Sequence, residues 1–159
     1  MNHTGQRVSI QTQNRMREVR KRFMEHVERK VDEEMVRIMI RVTDLVLPRI
    51  PVWTGETLAN WRWSIDTVDN TLYQPEAQSL PPGPARTGQE NRRDANEEKV
   101  RQSLRRAIQA PNKWKRTIFF TNPAPMAAPL EYEYTTPAGR DARGALRTAI
   151  AQVRNAGAR

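Results

Sequence analysis

The sequence predicts an α+β fold, made of a long N-terminal helix, a small antiparallel sheet, one mid-chain helix and a C-terminal helix. Three observations lead to this prediction. Residues 14–47 contain neither glycine nor proline, two short β-rich runs occur at 61–66 and 115–121, and helical spacing returns at 96–110 and at 142–153. The chain has 159 residues, a length typical of a single domain, and we treat 1–159 as one domain.

The first helix is predicted from apolar residues spaced three and four positions apart, which is the spacing of one helical face. They are Met16, Val19, Phe23, Val27, Val31, Met35, Ile38, Val42 and Leu45. Residues 35–42 are apolar around most of the helix, so we expect this part to lie deepest. A helix over 14–47 would be about 50 Å long, and we therefore expect one end to project. Residues 1–13 are polar and are predicted to be a flexible N-terminus.

The middle of the chain is predicted to hold a short helix, a strand and a loop. Thr54 can cap a helix at 56–60 through its hydroxyl, and Pro48 and Pro51 stop the first helix before it. In the run 61–66, large apolar residues alternate with polar ones, which is typical of a half-buried strand. Residues 70–95 are rich in proline and polar residues and are interpreted as a long irregular loop.

The second half is predicted to contain two more helices and the second strand. Asp94 and Glu97 have the spacing of a capping box ahead of the helix at 96–110. Residues 126–134 are interpreted as a short helix or a loop. Thr136 and Pro137 are typical of a helix start, and Gly157 is predicted to end this last helix. Four residues are candidates for the core: Trp61, Trp63, Ile118 and Phe120.

Composition limits the function classes. Lys and Arg number 27 against 18 Asp and Glu, so the net charge is +9, and there is no cysteine. Apolar residues make up 37%, against roughly 45–50% in typical globular domains, so we expect a modest core and a reliance on partner subunits. No apolar run approaches the length of about 18 residues that a membrane helix needs. The first residues lack an apolar region, and we expect no secretory signal.

Residues that carry catalytic chemistry are sparse. His3 and His26 are the only histidines, and their spacing does not fit a metal site, so we expect no metal and no cofactor. Neither a serine nucleophile elbow nor a phosphate-binding glycine motif occurs. Glu131 and Glu133 could serve acid–base chemistry or hold Mg²⁺, but an acidic surface that meets a basic one is the preferred interpretation. We expect no enzyme activity, and a small hydrolase ranks last.

The positive charge permits a second function, a small basic DNA-binding protein. Lys and Arg residues of the mid-chain helix and the turn after it are candidates for phosphate contacts. These candidates are Arg101, Arg105, Arg106, Lys113 and Lys115. Acidic residues are interleaved elsewhere, and no recognition helix or base-stacking pattern is present. Solvated helix faces with ion pairs between subunits are the simpler interpretation of the same charges.

Two segments together resemble a known family. Pro51-Val-Trp-Thr-Gly-Glu-Thr-Leu-Ala-Asn-Trp61 resembles the "P-V-D-T-G-x-L-x-x-S-W" pattern of the head–tail connector proteins of tailed bacteriophages, the neck or tail-completion family. Residues 117–132, with Pro137-Ala-Gly139, are similar to that family's "I-x-I-x-N", "P-Y-A-x-x-L-E-x-G" and "A-P-x-G-M". Order and spacing agree over roughly residues 15–155. The chain departs from the patterns with Trp53 in place of an acid, Met126 in place of Tyr, and Glu133 in place of Gly.

The resemblance implies a non-enzymatic virion protein, assembled in the host cytoplasm, that forms a ring in the neck. The ring would lie between the portal, adaptor or stopper ring and the tail-terminator or tail-tube proteins, and DNA would pass through its bore. A hexamer is favoured, a dodecamer is the alternative, and no membrane is involved. The interface candidates it implies are Trp53, Thr54, Gly55, Asn122, Pro125, Leu130, Glu131, Pro137 and Gly139.

Overall fold

The computed structural model describes residues 10–50, 56–73, 86–125, 127–132 and 144–157. Within these ranges the helices are α1 (Ile10–Val46), α2 (Glu56–Ala59), α3 (Arg86–Gln109), α4 (Ala127–Tyr132) and α5 (Ala145–Gly157), and the strands are β1 (Arg62–Ile65) and β2 (Ile118–Thr121). Single 3-10 turns follow α1 at Leu47–Arg49 and precede β2 at Lys113–Lys115. The predicted fold class is confirmed: helices dominate, and the two strands form one antiparallel sheet.

The helix α1 packs against the rest of the subunit through its second half. Met39, Val42, Thr43 and Val46 are buried there, whereas residues 11–27 are exposed. The prediction that one end projects is confirmed, and the deepest part lies slightly later than residues 35–42. The predicted flexible N-terminus is wrong for residues 10–13, which form the first turn of α1. A projecting helix needs no apolar face in its first turn, so the polar composition of these residues does not prevent helix formation.

Aromatic rings stack across the two strands of the sheet. Trp63 pairs with Phe120 across the two antiparallel strands, and their ring centroids are 4.5 Å apart. Trp61 stacks on the same Phe120 ring at 4.7 Å. The predicted core role of Trp61, Trp63, Phe120 and Ile118 is confirmed, since Trp61 is buried and the other three are half-buried against the core.

The core lies where α1, α2, α3 and α5 meet the sheet. Val46, Leu58, Val100 and Ala149, one from each of these helices, are fully buried in one cluster. Because each helix contributes only a few buried side chains, no element forms a core alone. A second, smaller cluster joins α1 to α3, so the modest apolar content expected from the composition forms two small clusters.

The loop predicted for residues 70–95 is wrong for residues 86–95, which form the first part of α3. Asp94 and Glu97 lie inside that helix, so they do not form a cap at its start. Most residues of 89–99 are compatible with a helix, and a single glycine at 88 is tolerated at a cost of about 1 kcal/mol. Arg93 also bonds Glu97 one turn later, at 2.7 Å. The predicted start of the last helix at Thr136–Pro137 is wrong, because α5 begins at Ala145. The Thr54 cap lies outside the described residues.

We predict that Phe120→Ala lowers the free energy of unfolding by about 3 kcal/mol, because a large half-buried ring stacked on two tryptophans is lost. Urea unfolding measures the change. Phe119→Ala is the matched control, because Phe119 is its neighbour in β2 and projects from the opposite face of the strand. Equal losses for the two variants would contradict the central place of the Phe120 stack.

Candidate assembly site

Three of the nine interface candidates have described side chains: Asn122, Pro125 and Glu131. Leu130 lies in α4, but its side chain is outside the described part of the chain. Trp53, Thr54, Gly55, Pro137 and Gly139 also lie outside the described residues. The described part of the candidate site consists of the segment around Asn122 and the junction of α4 with α5.

Asn122 connects the two segments that the resemblance singled out. It follows β2, and its side-chain amide donates a 2.7 Å hydrogen bond to the carbonyl of Thr57 in α2. Its side-chain oxygen accepts the backbone N–H of Ala124 at 3.0 Å, which holds the turn after the strand. Pro125 stands at the end of that turn and is exposed. The pairing of β1 with β2 therefore brings two distant pieces of sequence side by side.

Glu131 caps the N-terminus of α5. Its carboxylate accepts the backbone N–H of Leu146 at 3.1 Å and of Arg147 at 2.9 Å. Gly144 occupies the N-cap position, since its carbonyl accepts the first helical bond from Thr148 at 2.8 Å. A glycine has no side chain to satisfy the free N–H groups of the first turn, so Glu131 supplies that acceptor from another helix.

The geometry at Gly144 explains why a glycine stands there. Its φ is +72°, a backbone conformation that residues other than glycine rarely adopt. Its N–H donates to the carbonyl of Glu131 at 2.8 Å, and the Arg147 guanidinium donates to the same carbonyl at 2.8 Å. The Arg147 guanidinium also lies over the ring of Tyr132, 4.7 Å from its centroid. Both carboxylate oxygens of Glu131 are thus used within the subunit, and its side chain is only 11% exposed.

A buried polar cluster centred on Arg62 is not predicted by the sequence pattern. Alternation in β1 predicted an outward-facing Arg62, but the residue is only 4% exposed. Its guanidinium donates to the side-chain oxygen of Asn60 at 2.9 Å and to Asp69 at 3.1 Å, and it lies 4.2 Å from the ring centroid of Tyr73. Asn60 in turn bonds both the N–H and the carbonyl of Tyr73. Asn60 precedes β1, and Asp69 and Tyr73 follow it, so strand alternation carries no signal for these partners.

Asp69 is the acidic partner of this cluster, and its pKa is lowered from 3.8. Partial burial has the largest influence and acts to raise the pKa. Hydrogen bonds from the backbone and side chain of Thr71, followed by the bond and charge of Arg62, act to lower it and together prevail. The charged carboxylate is therefore the form that the folded state favours.

The basic residues proposed for DNA contacts occupy different surroundings. Lys113 is buried, and its ammonium donates to the carbonyls of Ile108 and Ala110 at the end of α3, both at 2.9 Å. Arg101 is paired with Asp44 at 3.1 Å, and Arg105 is paired with Glu98. Arg106 and Lys115 are exposed, and the Lys115 ammonium lies 4.4 Å from the centroid of the Trp114 ring.

Two concave regions occur on the described surface. One, of about 550 Å³, lies between α1 and residues 112–114 and is lined by four carboxylates and two basic side chains. The other, of about 300 Å³, lies beside the Arg62 cluster and is lined in part by Trp61, Trp63 and Arg106. No group of His, Cys, Asp or Glu side chains suited to a metal ion is present among the residues described.

None of the helices in the described ranges is long and apolar enough to cross a membrane. Comparisons with protein-family models, with curated proteins and with solved structures give no significant match.

We predict that Glu131→Ala lowers the free energy of unfolding by about 1–2 kcal/mol, because two N–H groups of α5 lose their acceptor. Urea unfolding measures the loss, and faster hydrogen exchange at Leu146 and Arg147 locates it. Glu98→Ala is the control, because it removes an exposed ion pair and should cost less than about 0.5 kcal/mol. A Glu131→Ala cost as small as the control would contradict the capping role.

We predict that Asp69→Asn lowers the free energy of unfolding by about 1–3 kcal/mol at neutral pH, because the buried Arg62 loses its charged partner. The pKa of Asp69 is lower in the folded state, so its stabilisation is fully present above pH 3.8 and is lost as the pH falls through the folded pKa. The difference between wild type and variant should therefore shrink in acid. Urea unfolding at a series of pH values tests this, and a difference that grows with acidification would be inconsistent with it.

Proposed function

We propose that this protein is a structural component of a tailed-bacteriophage neck, where it forms a ring at the head–tail junction through which DNA passes. The observation that carries the proposal is the hydrogen bond from Asn122 to the Thr57 carbonyl. It joins the two segments whose sequences resemble the neck family, although they are far apart in the chain. The described parts of the two segments that contain Thr57 and Asn122 are therefore neighbours in the folded subunit.

The physical character of the subunit supports assembly as its function. Its core consists of two small clusters of buried side chains, and a chain with a thin core gains stability from neighbouring subunits. Contacts between two different surfaces of identical copies generate rings when the rotation closes. We propose that the turn containing Pro125 and the residues around 53–55 and 137–139 contribute to these contacts, in a hexamer or, as the alternative, a dodecamer. The mechanism is assembly without catalysis.

The neighbours in this proposal are those of a neck ring. A portal, adaptor or stopper ring would lie on one side, and a tail terminator or tail tube on the other. Glu131 is less available for such contacts than its sequence suggested, because its carboxylate is already used by α5. Exposed residues of the same region, such as Pro125, are the better candidates for contact with other subunits.

The net charge of +9 keeps a DNA-binding protein as the second proposal. Arg101 and Arg105 are paired with acidic side chains of the same chain, and the Lys113 ammonium is buried. These contacts leave fewer of the five candidate cations available to phosphate groups than the sequence suggests. Phosphate-driven binding has a steep salt dependence, so a DNA titration across salt concentrations distinguishes the two proposals.

The ring proposal predicts a closed oligomer of six or twelve copies for the purified protein. Light scattering across concentration, at low and moderate salt, gives the mass, and negative-stain electron microscopy shows whether a bore is present. A monomer at every concentration that binds DNA with a steep salt dependence would contradict the ring and favour the DNA-binding protein.

We predict that Pro125→Glu lowers the oligomer mass without changing the free energy of unfolding of the subunit by more than about 0.5 kcal/mol, because Pro125 is an exposed turn residue. Light scattering measures the mass and circular dichroism the fold. Pro111→Glu is the matched control, because Pro111 is also exposed after a regular element and was not assigned to an interface. An unchanged mass for Pro125→Glu would remove this residue from the proposed contact.

A further inference from the structure

The first half of α1 carries an exposed row of large apolar side chains. Met16 is 65% exposed, Val19 and Phe23 are each 63% exposed, and Val27 and Val31 are 36% and 42% exposed. Their spacing of three and four positions places them along one side of the helix. We call these five residues the α1 row. Contiguous exposed apolar surface of this kind is typical of a protein-interaction site.

The start of the α1 row lies on the side of α1 opposite to the side that packs on the subunit. Each step of four residues moves a side chain about 40° round the helix. From Val19, five such steps lead to Met39, which is buried, so Val19 lies about 200° round the helix from the core-facing side. The start of the row therefore points away from the body of the subunit.

The charges beside the α1 row are separated along the helix. Residues 15–22 hold five basic side chains and one acidic one, a net charge of +4, whereas residues 25–34 hold five acidic and two basic ones, a net charge of −3 with histidine neutral. The ion pairs within α1, such as Lys21–Glu25 at 3.9 Å and Arg22–Glu18 at 3.2 Å, are exposed. Exposed pairs contribute little, so these side chains can exchange partners at small cost.

We propose that the α1 row binds the α1 row of a second copy of this chain, with the two helices antiparallel. In this arrangement Met16 faces Val31 of the second copy, Val19 faces Val27, and the two Phe23 side chains meet near the two-fold axis. The same arrangement places the basic segment 15–22 of each copy beside the acidic segment 25–34 of the other. A parallel pair in register would instead place basic beside basic and acidic beside acidic, which is unfavourable.

This pairing does not depend on the proposed ring. An antiparallel pair is isologous and closes on itself as a dimer, so ring closure must use another surface. In a protein that also forms rings, the pair would protect the apolar face of free subunits or connect two rings. The pairing and the ring can thus be tested separately.

Single cysteines test the orientation directly, because the chain has no cysteine of its own. A disulfide requires the two Cα atoms to lie within about 7 Å. We expect mixed Val19→Cys and Val27→Cys proteins to form a cross-linked heterodimer under mild oxidation. Val19→Cys alone should cross-link weakly, because its two copies would lie about 12 Å apart along the helices. Efficient cross-linking of Val19→Cys alone, with none in the mixture, would overturn the antiparallel pair.

A second variant tests the apolar contact without cross-linking. Phe23→Gln should raise the dimer dissociation constant at least about tenfold, measured by analytical ultracentrifugation, because two buried rings are lost. Ile40→Gln is the control, because Ile40 is an apolar residue of α1 that is 41% exposed but lies outside the α1 row and both charged segments, and this variant should change the constant less than about threefold. Unchanged helical content by circular dichroism checks that both variants fold.

The outcomes separate this inference from the proposed function. A dimer that Phe23→Gln dissociates, or a ring in which the mixed cysteines cross-link, supports the antiparallel pair. A ring that forms without the mixed cross-link and is unaffected by Phe23→Gln overturns the pair and leaves the neck proposal standing. Wild-type protein that stays monomeric at every concentration overturns the pair as well.

Discussion

The position of Trp63 is the constraint on which the rest of the structure depends. Its ring stacks on Phe120 across the sheet at 4.5 Å, its indole N–H donates to the hydroxyl of Thr43 in α1 at 2.8 Å, and its backbone N–H donates to Ser103 in α3 at 3.0 Å. One residue thus fixes both strands relative to the two longest helices. A two-stranded sheet is marginal alone, and these contacts provide the support that it lacks.

The contact between the segments around Asn122 and Thr57 follows from this arrangement. With β1 and β2 held together, Asn122 reaches the Thr57 carbonyl, and the two segments that resemble neck proteins become neighbours. Among the described residues, positions 11–27 of α1 remain exposed. The exposed surface of α1 and the surface near the core therefore lie at opposite ends of this helix.

The sequence was informative where periodicity decides structure and uninformative where single side chains do. Spacing predicted α1, both strands and the core role of Phe120, because those elements bury one face. It failed at residues 86–95, where the polar composition and nearby prolines outweighed good helix formers. Strand alternation also favoured an exposed Arg62, whereas Asn60, Asp69 and Tyr73 on either side of β1 bury it.

The candidate site shows the same division. The resemblance to neck proteins indicated Asn122 and Glu131 as candidates. No local sequence pattern predicts that Glu131 caps α5, the helix whose N-cap is Gly144. The burial of Lys113 against the end of α3 likewise depends on how the turn after that helix folds back. Such roles arise from tertiary contacts, which the spacing of residues in the sequence does not predict.

The most direct test of the central claim, that this chain acts by assembling into a ring, is its copy number in native mass spectrometry. The account predicts a discrete species of six or twelve subunits. A spectrum that holds only monomers at all concentrations, from protein whose circular dichroism shows it folded, would contradict it.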